Sequence, residues 1–280
     1  MSPAHPQPDD AMRRWRPSPA IRASAALHVA GAAALLAVPS SWPWVLGAIV
    51  ADHALLTAAG LWPRSTLLGP NMLRLPPPAI ARREIALTFD DGPDAALTPR
   101  VLDLLDRYRA KASFFCVGRK AAAHAGVVRE TVRRGHSVEN HSDRHSNFFS
   151  FYGLRGLRRE IEAAQAAIAQ AAGTPPLFFR APAGLRSPLL DPVVARLGLR
   201  YVAWTRRGFD TVSGDSRKVL DRLVIGLAAG DILLLHDGGC APTRGGHAVV
   251  LEVLPALLER ILAAGFVPVS LRAAMRCAPR

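Results

Sequence analysis

The chain holds 280 residues, half of them hydrophobic and 20% charged, which excludes whole-chain disorder and suits one large domain with an appendage. Three cysteines (Cys116, Cys240, Cys277) with no C-x-x-C pair exclude a disulfide scaffold and leave the redox compartment open. The formal charge of +13 is spread without a block of like charge; with no recognition helix or aromatic platform it excludes nucleic acid and fits a basic surface near anionic lipid or an anionic substrate.

Residues 1–20 are polar and Pro-rich, and are expected to be disordered. Arg13, Arg14, Arg16 and Arg22 precede an uncharged apolar tract at 23–38, which Pro39-Ser40-Ser41-Trp42-Pro43 interrupts. Residues 44–62 are apolar again, apart from Asp52 and His53. Each half approaches the roughly 20 residues that cross a bilayer as a helix. Trp42, Trp44 and Trp62 stand where interfacial aromatics belong. Residues 21–62 therefore read as two transmembrane helices in a hairpin. A single anchor and a cleaved signal peptide compete with that reading, and Asp52-His53 favours a buried or interfacial helix at 44–62. Arginines flank both ends (Arg64, Arg74, Arg82 and Arg83 follow the second tract), which places the rest of the chain in the cytoplasm if both tracts cross and outside it if one does.

Residues 63–84, with Pro76-Pro77-Pro78, read as an extended linker. From 85 to 275 the pattern changes. Short apolar runs at 85–89, 113–117, 137–139, 178–181, 201–204, 232–235 and 267–270 alternate with helical stretches at 98–109, 120–134, 154–172, 189–197, 217–228 and 249–264. That rhythm argues for a parallel α/β sheet or barrel.

Four run ends carry polar clusters, and the carboxyl ends of parallel strands are where sites assemble. Thr88-Phe89-Asp90-Asp91-Gly92-Pro93 sets two carboxylates side by side, which repel unless a cation lies between them or one is protonated. Glu139-Asn140-His141-Ser142-Asp143-Arg144-His145 spaces two histidines by four, a metal-ligand spacing expected to come from one side of a helical turn. Joined by Asp91 they make two imidazoles and a carboxylate, a set that leaves a coordination position open for water. Arg180-Ala181-Pro182-Ala183-Gly184 closes another run with an arginine and a rigid turn, and Leu233-Leu234-Leu235-His236-Asp237 places a histidine at the mouth of an apolar run. Burial lowers such a histidine's pKa and a carboxylate raises it again; Asp210, six residues after Trp204, is the candidate partner.

In this order, the motifs resemble the polysaccharide deacetylase family (the NodB homology domain, carbohydrate esterase family 4) over residues 85–275. The resemblance implies an α/β fold, a distorted (β/α) barrel of about seven parallel strands, here preceded by the apolar helical hairpin. It implies that Asp91, His141 and His145 bind a divalent metal, zinc being usual in such enzymes. Asp90 matches the general base, Arg180 the arginine that orients it, His236 the general acid and Asp210 the carboxylate that tunes it. Leu234, Ala183 and Trp204 match positions that touch substrate. The implied activity is hydrolysis of the N-acetyl group of an amino sugar, in a glycan or a lipid-linked saccharide, at a bacterial cytoplasmic membrane. A catalytically silent carbohydrate-binding protein on the same fold and an O-deacetylase are the alternatives; nothing in the chain fixes an oligomeric state. Three departures thin the groove: Ala183 stands where the family usually has an aromatic, Thr211 where a tryptophan often follows the aspartate, and Arg207 where an acidic residue is common. Arg186, Arg206, Arg207 and Arg244 lie near the motifs. Solvated side chains are the default for them, and contact with an anionic group such as a lipid-linked phosphate is the sharper hypothesis.

Overall fold

The computed structural model describes residues 15–276; most of the polar N-terminal stretch and Cys277 lie outside them. Ser18 caps the first helix, α1 (Pro19–Ala37), its side chain accepting from the Ile21 amide at 3.2 Å. A 3₁₀ turn (Pro39–Ser41) reverses the chain, and α2 (Trp42–Leu61) returns alongside α1. Gly31 permits the close crossing, since a Cβ there would lie 2.9 Å from Val45 Cγ1. Both helices are long and apolar enough to cross a membrane, and only 6% and 11% of their apolar windows are buried. Neither is a core helix, which removes the buried-helix alternative for residues 44–62. The polar pair that favoured it is met inside the hairpin: Ser24 Oγ donates to Asp52 Oδ2 at 2.7 Å, and the His53 and His28 rings stack with centroids 5.3 Å apart.

The remainder is an α/β barrel of parallel strands: β1 (Glu84–Asp90), β2 (Ser113–Cys116), β3 (Ser137–Asn140), β4 (Phe178–Phe179), β5 (Arg200–Tyr201), β6 (Arg206–Arg207), β7 (Ile232–His236) and β8 (Val267–Val269). Their order is β5-β4-β3-β2-β1-β7-β6, with β8 pairing the start of β1. Each of the seven runs forms a strand. The eighth, β6, is a pair of arginines, Arg206–Arg207, with no apolar residue to mark it as a strand. Around the sheet lie α4 (Leu97–Arg107), α5 (Gly118–Ala123), α6 (Ala125–Arg133), α7 (Leu154–Ala172), α8 (Leu190–Arg196), α9 (Ser216–Val224) and α10 (Val249–Ala263), reached after the short α3 (Pro77–Ala81) and followed by α11 (Leu271–Ala274). The expected helix at 120–134 is two, because His124 at φ −120°, ψ 43° leaves the helical region between α5 and α6.

Packing follows the pattern of the sequence. In α10, Val250, Val253, Leu254, Leu257, Leu258 and Ile261 recur at helical spacing and are fully buried with Leu87, Leu233 and Leu235 of the sheet. β1 is buried along its whole length, as a strand covered on both faces should be.

β5 and β6 stand at the two ends of the strand order, and the stretch read as a linker bridges the gap between them. Met72 pairs with Val202 and Arg74 with Asp231. The Ala203 amide donates to Met72 O at 3.1 Å, Thr205 Oγ1 to Leu73 O at 2.7 Å and the Leu75 amide to Gly230 O at 2.8 Å. Of the expected linker at 63–84, residues 63–76 are without helix or strand, and they line the barrel wall and do not hang free of it. Pro77–Ala81 is helical, prolines being tolerated in a first helical turn, and Glu84 already belongs to β1. With all strands parallel, Asp90, Cys116, Asn140, Phe179 and His236 end at one face.

Candidate active site

β1 delivers Asp90 in register with His236 of β7, so the two lie on adjacent strand ends. The next residue, Asp91, is left-handed at φ 72°, which swings the second carboxylate away from the first. Asp90 is buried and Asp91 is partly open. Gly92 is required at this turn because any Cβ would collide with the Asp237 carboxylate.

His141 and His145 are not on a helical turn. They sit on a loop in which Ser142 (φ 63°) and His145 (φ 51°) are left-handed, and this bend brings the two rings to 4.9 Å. The loop is pinned by the Ser142 amide to Asn140 Oδ1 (3.0 Å) and the Arg144 amide to Glu160 Oε2 (3.0 Å). Arg180 O accepts from His141 Nδ1 at 2.8 Å, which fixes the tautomer and leaves Nε2 with its lone pair facing the cleft.

The ligand atoms of Asp91, His141 and His145 all lie within 4.8 Å of one another. Asp91 Oδ1 is 3.3 Å from His141 Nε2 and 3.0 Å from His145 Nε2, and it is buried without a hydrogen bond of acceptable geometry. Burial alone raises the Asp91 pKa, but the two imidazoles outweigh it and hold the carboxyl far below the ordinary range. An anionic oxygen between two ring nitrogens, with the far nitrogen of one ring tied to a carbonyl, fits a divalent cation of the zinc class.

Arg180, fully buried, holds Asp90. Its Nη1 donates to Asp90 Oδ1 at 2.6 Å and to Thr88 Oγ1 at 2.9 Å, Nη2 to Ala203 O at 2.9 Å and Nε to Val202 O at 3.3 Å. The guanidinium also stacks 4.1 Å from the Phe115 centroid. Across the cleft, Asp210 is matched to His236: Oδ1 accepts from Nδ1 and Oδ2 from the His236 amide, both at 2.8 Å. Burial pulls this imidazole's pKa down, but the Asp210 carboxylate overrides it, and the net effect is a pKa above the ordinary histidine value. With Nδ1 committed to Asp210, Nε2 is the nitrogen left for the cleft that His236 lines.

Asp90, Asp91, His141, His145 and His236 line one cleft of about 220 Å³ together with Ala183, Gly184, Trp204, Arg207, Thr211 and Leu234. Arg180 and Asp210 stand behind Asp90 and His236. All ten residues expected at the site are therefore in or directly behind it. Of the four nearby arginines, only Arg207 lines it. Arg186 is buried and stacks on Tyr201 while donating to Ser65 O, and Arg206 pairs with Asp231 at 2.5 Å. Arg244 lines a separate groove with Pro242 and Thr243. Two residues within the motifs carry contacts that spacing alone did not single out. Thr88 relays between Arg180 and Leu233 O (2.7 Å), and Asp237, hydrogen-bonded by Thr98 Oγ1 at 2.6 Å, is pushed up to about 7 by burial.

Residues 79–202 match the sequence model of the polysaccharide deacetylase family. A chitooligosaccharide deacetylase of Azorhizobium caulinodans is 33% identical over 65% of this chain and 90% of its own length. The chain belongs to the polysaccharide deacetylase family. A peptidoglycan-N-acetylglucosamine deacetylase of Bacillus cereus is 32% identical over 63% of this chain and 82% of its own. Among solved structures, a family 4 acetyl xylan esterase of Clostridium thermocellum with a cobalt ion superposes with a TM-score of 0.60 and 33% identity, covering 68% of this chain and 89% of that one. This deacetylase-family barrel thus carries its site at the strand ends, as the parallel topology requires.

Breaking a buried ion pair from one side is costly. Arg180→Met is expected to lower unfolding stability by about 3–5 kcal/mol, because it strands the Asp90 carboxylate. Adding Asp90→Asn to Arg180→Met is expected to recover at least about 1 kcal/mol, a coupling that denaturant unfolding in detergent reads directly; strict additivity contradicts the pairing.

Proposed function

We propose that the protein is a membrane-attached, metal-dependent deacetylase that hydrolyses the N-acetyl group of an amino sugar in a glycan or a lipid-linked saccharide. One observation carries the reading: an arginine-held carboxylate, a carboxylate-held imidazole and an Asp-His-His triad converge on a single cleft. Asp91, His141 and His145 would hold the cation, which when bound supplies Lewis acidity and lowers the pKa of water. Asp90, oriented by Arg180, takes the proton of the attacking water. The water oxygen bonds to the acyl carbon, the C–N bond breaks, and His236 gives its proton to the departing amine while Asp210 steadies the imidazolium. The Ala183 amide serves as a donor to the oxyanion, and Leu234 and Trp204 wall the acetyl and sugar. A silent binding protein needs none of these pairings.

The esterase relative favours a second reading on the same residues, an O-deacetylase, since the same water attack cleaves esters. Comparing acetate release from an N-acetylated and an O-acetylated sugar decides between them.

Both α1 and α2 are taken to cross the membrane, with the barrel on the cytoplasmic side by the arginine flanks. Phosphatase fusions at residue 80 and at the C-terminus should then be inactive and one in the Pro39–Ser41 turn active; the reverse pattern places the barrel outside.

Acetate release should vanish with chelator and return with Zn²⁺. Asp91→Ala and His141→Ala should lose metal and turnover together, whereas Asp90→Asn should keep metal and lose about 10²-fold or more in kcat. Near-normal turnover in Asp90→Asn removes the base assignment. For pH, the Asp210 charge stabilises the protonated His236, so the acid form persists to higher pH than in a free imidazole. Asp210→Asn should therefore move the alkaline limb of kcat/KM toward lower pH; an unmoved limb means that His236 is not the acid.

A further inference from the structure

The hairpin is bolted to the loop that lines the cleft. The Arg186 amide donates to Gly60 O at 3.0 Å, one residue before the end of α2, and a Cβ on Gly60 would collide with Arg186 O. Gly184 lines the cleft on one side; on the other, a Cβ there would meet Pro63 Cβ at 2.7 Å and Trp204 Cη2 at 2.6 Å. Arg64 Nη1 donates to Thr205 O at 3.3 Å, next to Trp204. At the other helix, Trp15 Nε1 donates to Asp191 Oδ2 at 3.0 Å and Ser18 Oγ to Leu67 O at 2.6 Å. Both open ends of the hairpin thus meet the barrel at its site-bearing face. Pro63, two residues beyond the end of α2, lies beside Gly184, which lines the cleft.

The loops of that face are apolar where they are exposed. Phe148 and Phe151, just beyond His145, are 69% and 81% exposed, and Val212, just beyond Asp210, is 79% exposed. The first loop adjoins the hairpin base, since Phe149 packs in one cluster with Leu190, the neighbour of Asp191. Bulky apolar side chains beside a spanning hairpin match an interfacial surface. The cleft itself, at about 220 Å³, is below the roughly 300–1,000 Å³ of common ligand pockets and encloses about one sugar unit. Its arginine, Arg207, makes no ion pair among the described residues. The guanidinium rests on Trp204 (5.6 Å) and Phe209 (4.9 Å), and its Nε is buried without a partner. A guanidinium set beside two aromatic rings, with no ion pair and with Nε unclaimed, suits a phosphate oxygen.

We propose that the cleft is fed from the bilayer: its substrate is an amino sugar joined through phosphate to a membrane lipid, and Arg207 receives the phosphate. This rests on the deacetylase reading and selects its substrate. The test uses the full-length zinc-loaded protein in nanodiscs with three substrates: a polyprenyl-phosphate-linked N-acetylhexosamine in the same bilayer, N-acetylhexosamine 1-phosphate in solution, and a neutral chitooligosaccharide. The expected kcat/KM falls in that order, by about 100-fold or more from first to last, and Arg207→Ala collapses the preference for phosphate by about tenfold, mainly through KM, with Arg207→Lys recovering part of it. Binding to the Asp90→Asn protein should rank the three alike, so that recognition is read apart from turnover. Equal kcat/KM on the soluble phosphate and the lipid-linked sugar overturns the bilayer route. A neutral oligosaccharide cleaved as well as either, with Arg207→Ala lowering all three alike, overturns the phosphate contact while leaving the deacetylase intact. Acetate release from none of them, with zinc bound, sinks the deacetylase reading itself.

Discussion

Arg180 is the residue on which the site depends, because its side chain and its backbone reach both the proposed base and one candidate metal ligand. The guanidinium spends its donors on Asp90, Thr88 and two carbonyls of the chain after β5, so it ties the first strand to the far side of the barrel. Its amide donates to Asn140 O, and its carbonyl takes the Nδ1 proton of His141. The proposed base and one candidate metal ligand are thus oriented by the same residue. A buried arginine needs such partners, since a charge left unpaired in a low-dielectric interior is costly. Its environment supplies the compensation through one carboxylate, one hydroxyl, two carbonyls and an aromatic face. The planar fork matters, because a lysine ammonium cannot serve these partners from one position.

The arginine-rich composition is then less uniform in meaning than it is in sequence. Arg180 and Arg186 are both buried, yet one faces a carboxylate and the other is met by carbonyls and the Tyr201 ring, so that burial lowers the pKa of Arg186. Arg206 and Arg207 are adjacent, and strand alternation sends them to different partners. Arg206 locks onto Asp231 and the carbonyls of Ile225 and Gly226, while Arg207 stays in the cleft. Charge counts cannot separate these fates; the pleat of a two-residue strand does.

Much of the fold was legible because parallel strands covered on both faces read as continuous apolar runs, as in Ile85–Phe89 and Ile232–Leu235, and because α7 and α10 carry long helical stripes. What escaped has local causes. β6 is two arginines with no apolar residue to signal a strand, and the break at His124 falls in an alanine-rich stretch with no proline and no capping side chain to announce it. The stretch at 63–76 reads as linker because barrel closure by backbone pairing leaves no side-chain signature. At the site the residue types and their order were readable from the motifs, but the reason given for His141 and His145 was not the operative one. A spacing of four implies a helical turn; the rings meet instead through two left-handed residues, a device that non-glycine residues seldom betray in sequence.

That device recurs. Asp91, Ser142, His145, Ala183 and Phe209 are all left-handed without being glycine, and each lies in a loop that bounds the cleft. Such residues cost roughly 1–2 kcal/mol apiece and persist only where their surroundings leave no alternative. For Asp91 the surroundings are the Lys120 ammonium on its carbonyl at 2.7 Å and the close approach of Gly238. For Ala183 they include the hairpin's end, because Pro63 lies close enough to Gly184 to leave no room for a Cβ there, and Gly60 O holds the Arg186 amide after the turn. The helices that lead away from the barrel are therefore also part of what keeps one wall of the cleft in its strained shape. Hairpin and site are one mechanical unit, and a chain shortened to the barrel motifs would lose part of the support of its cleft.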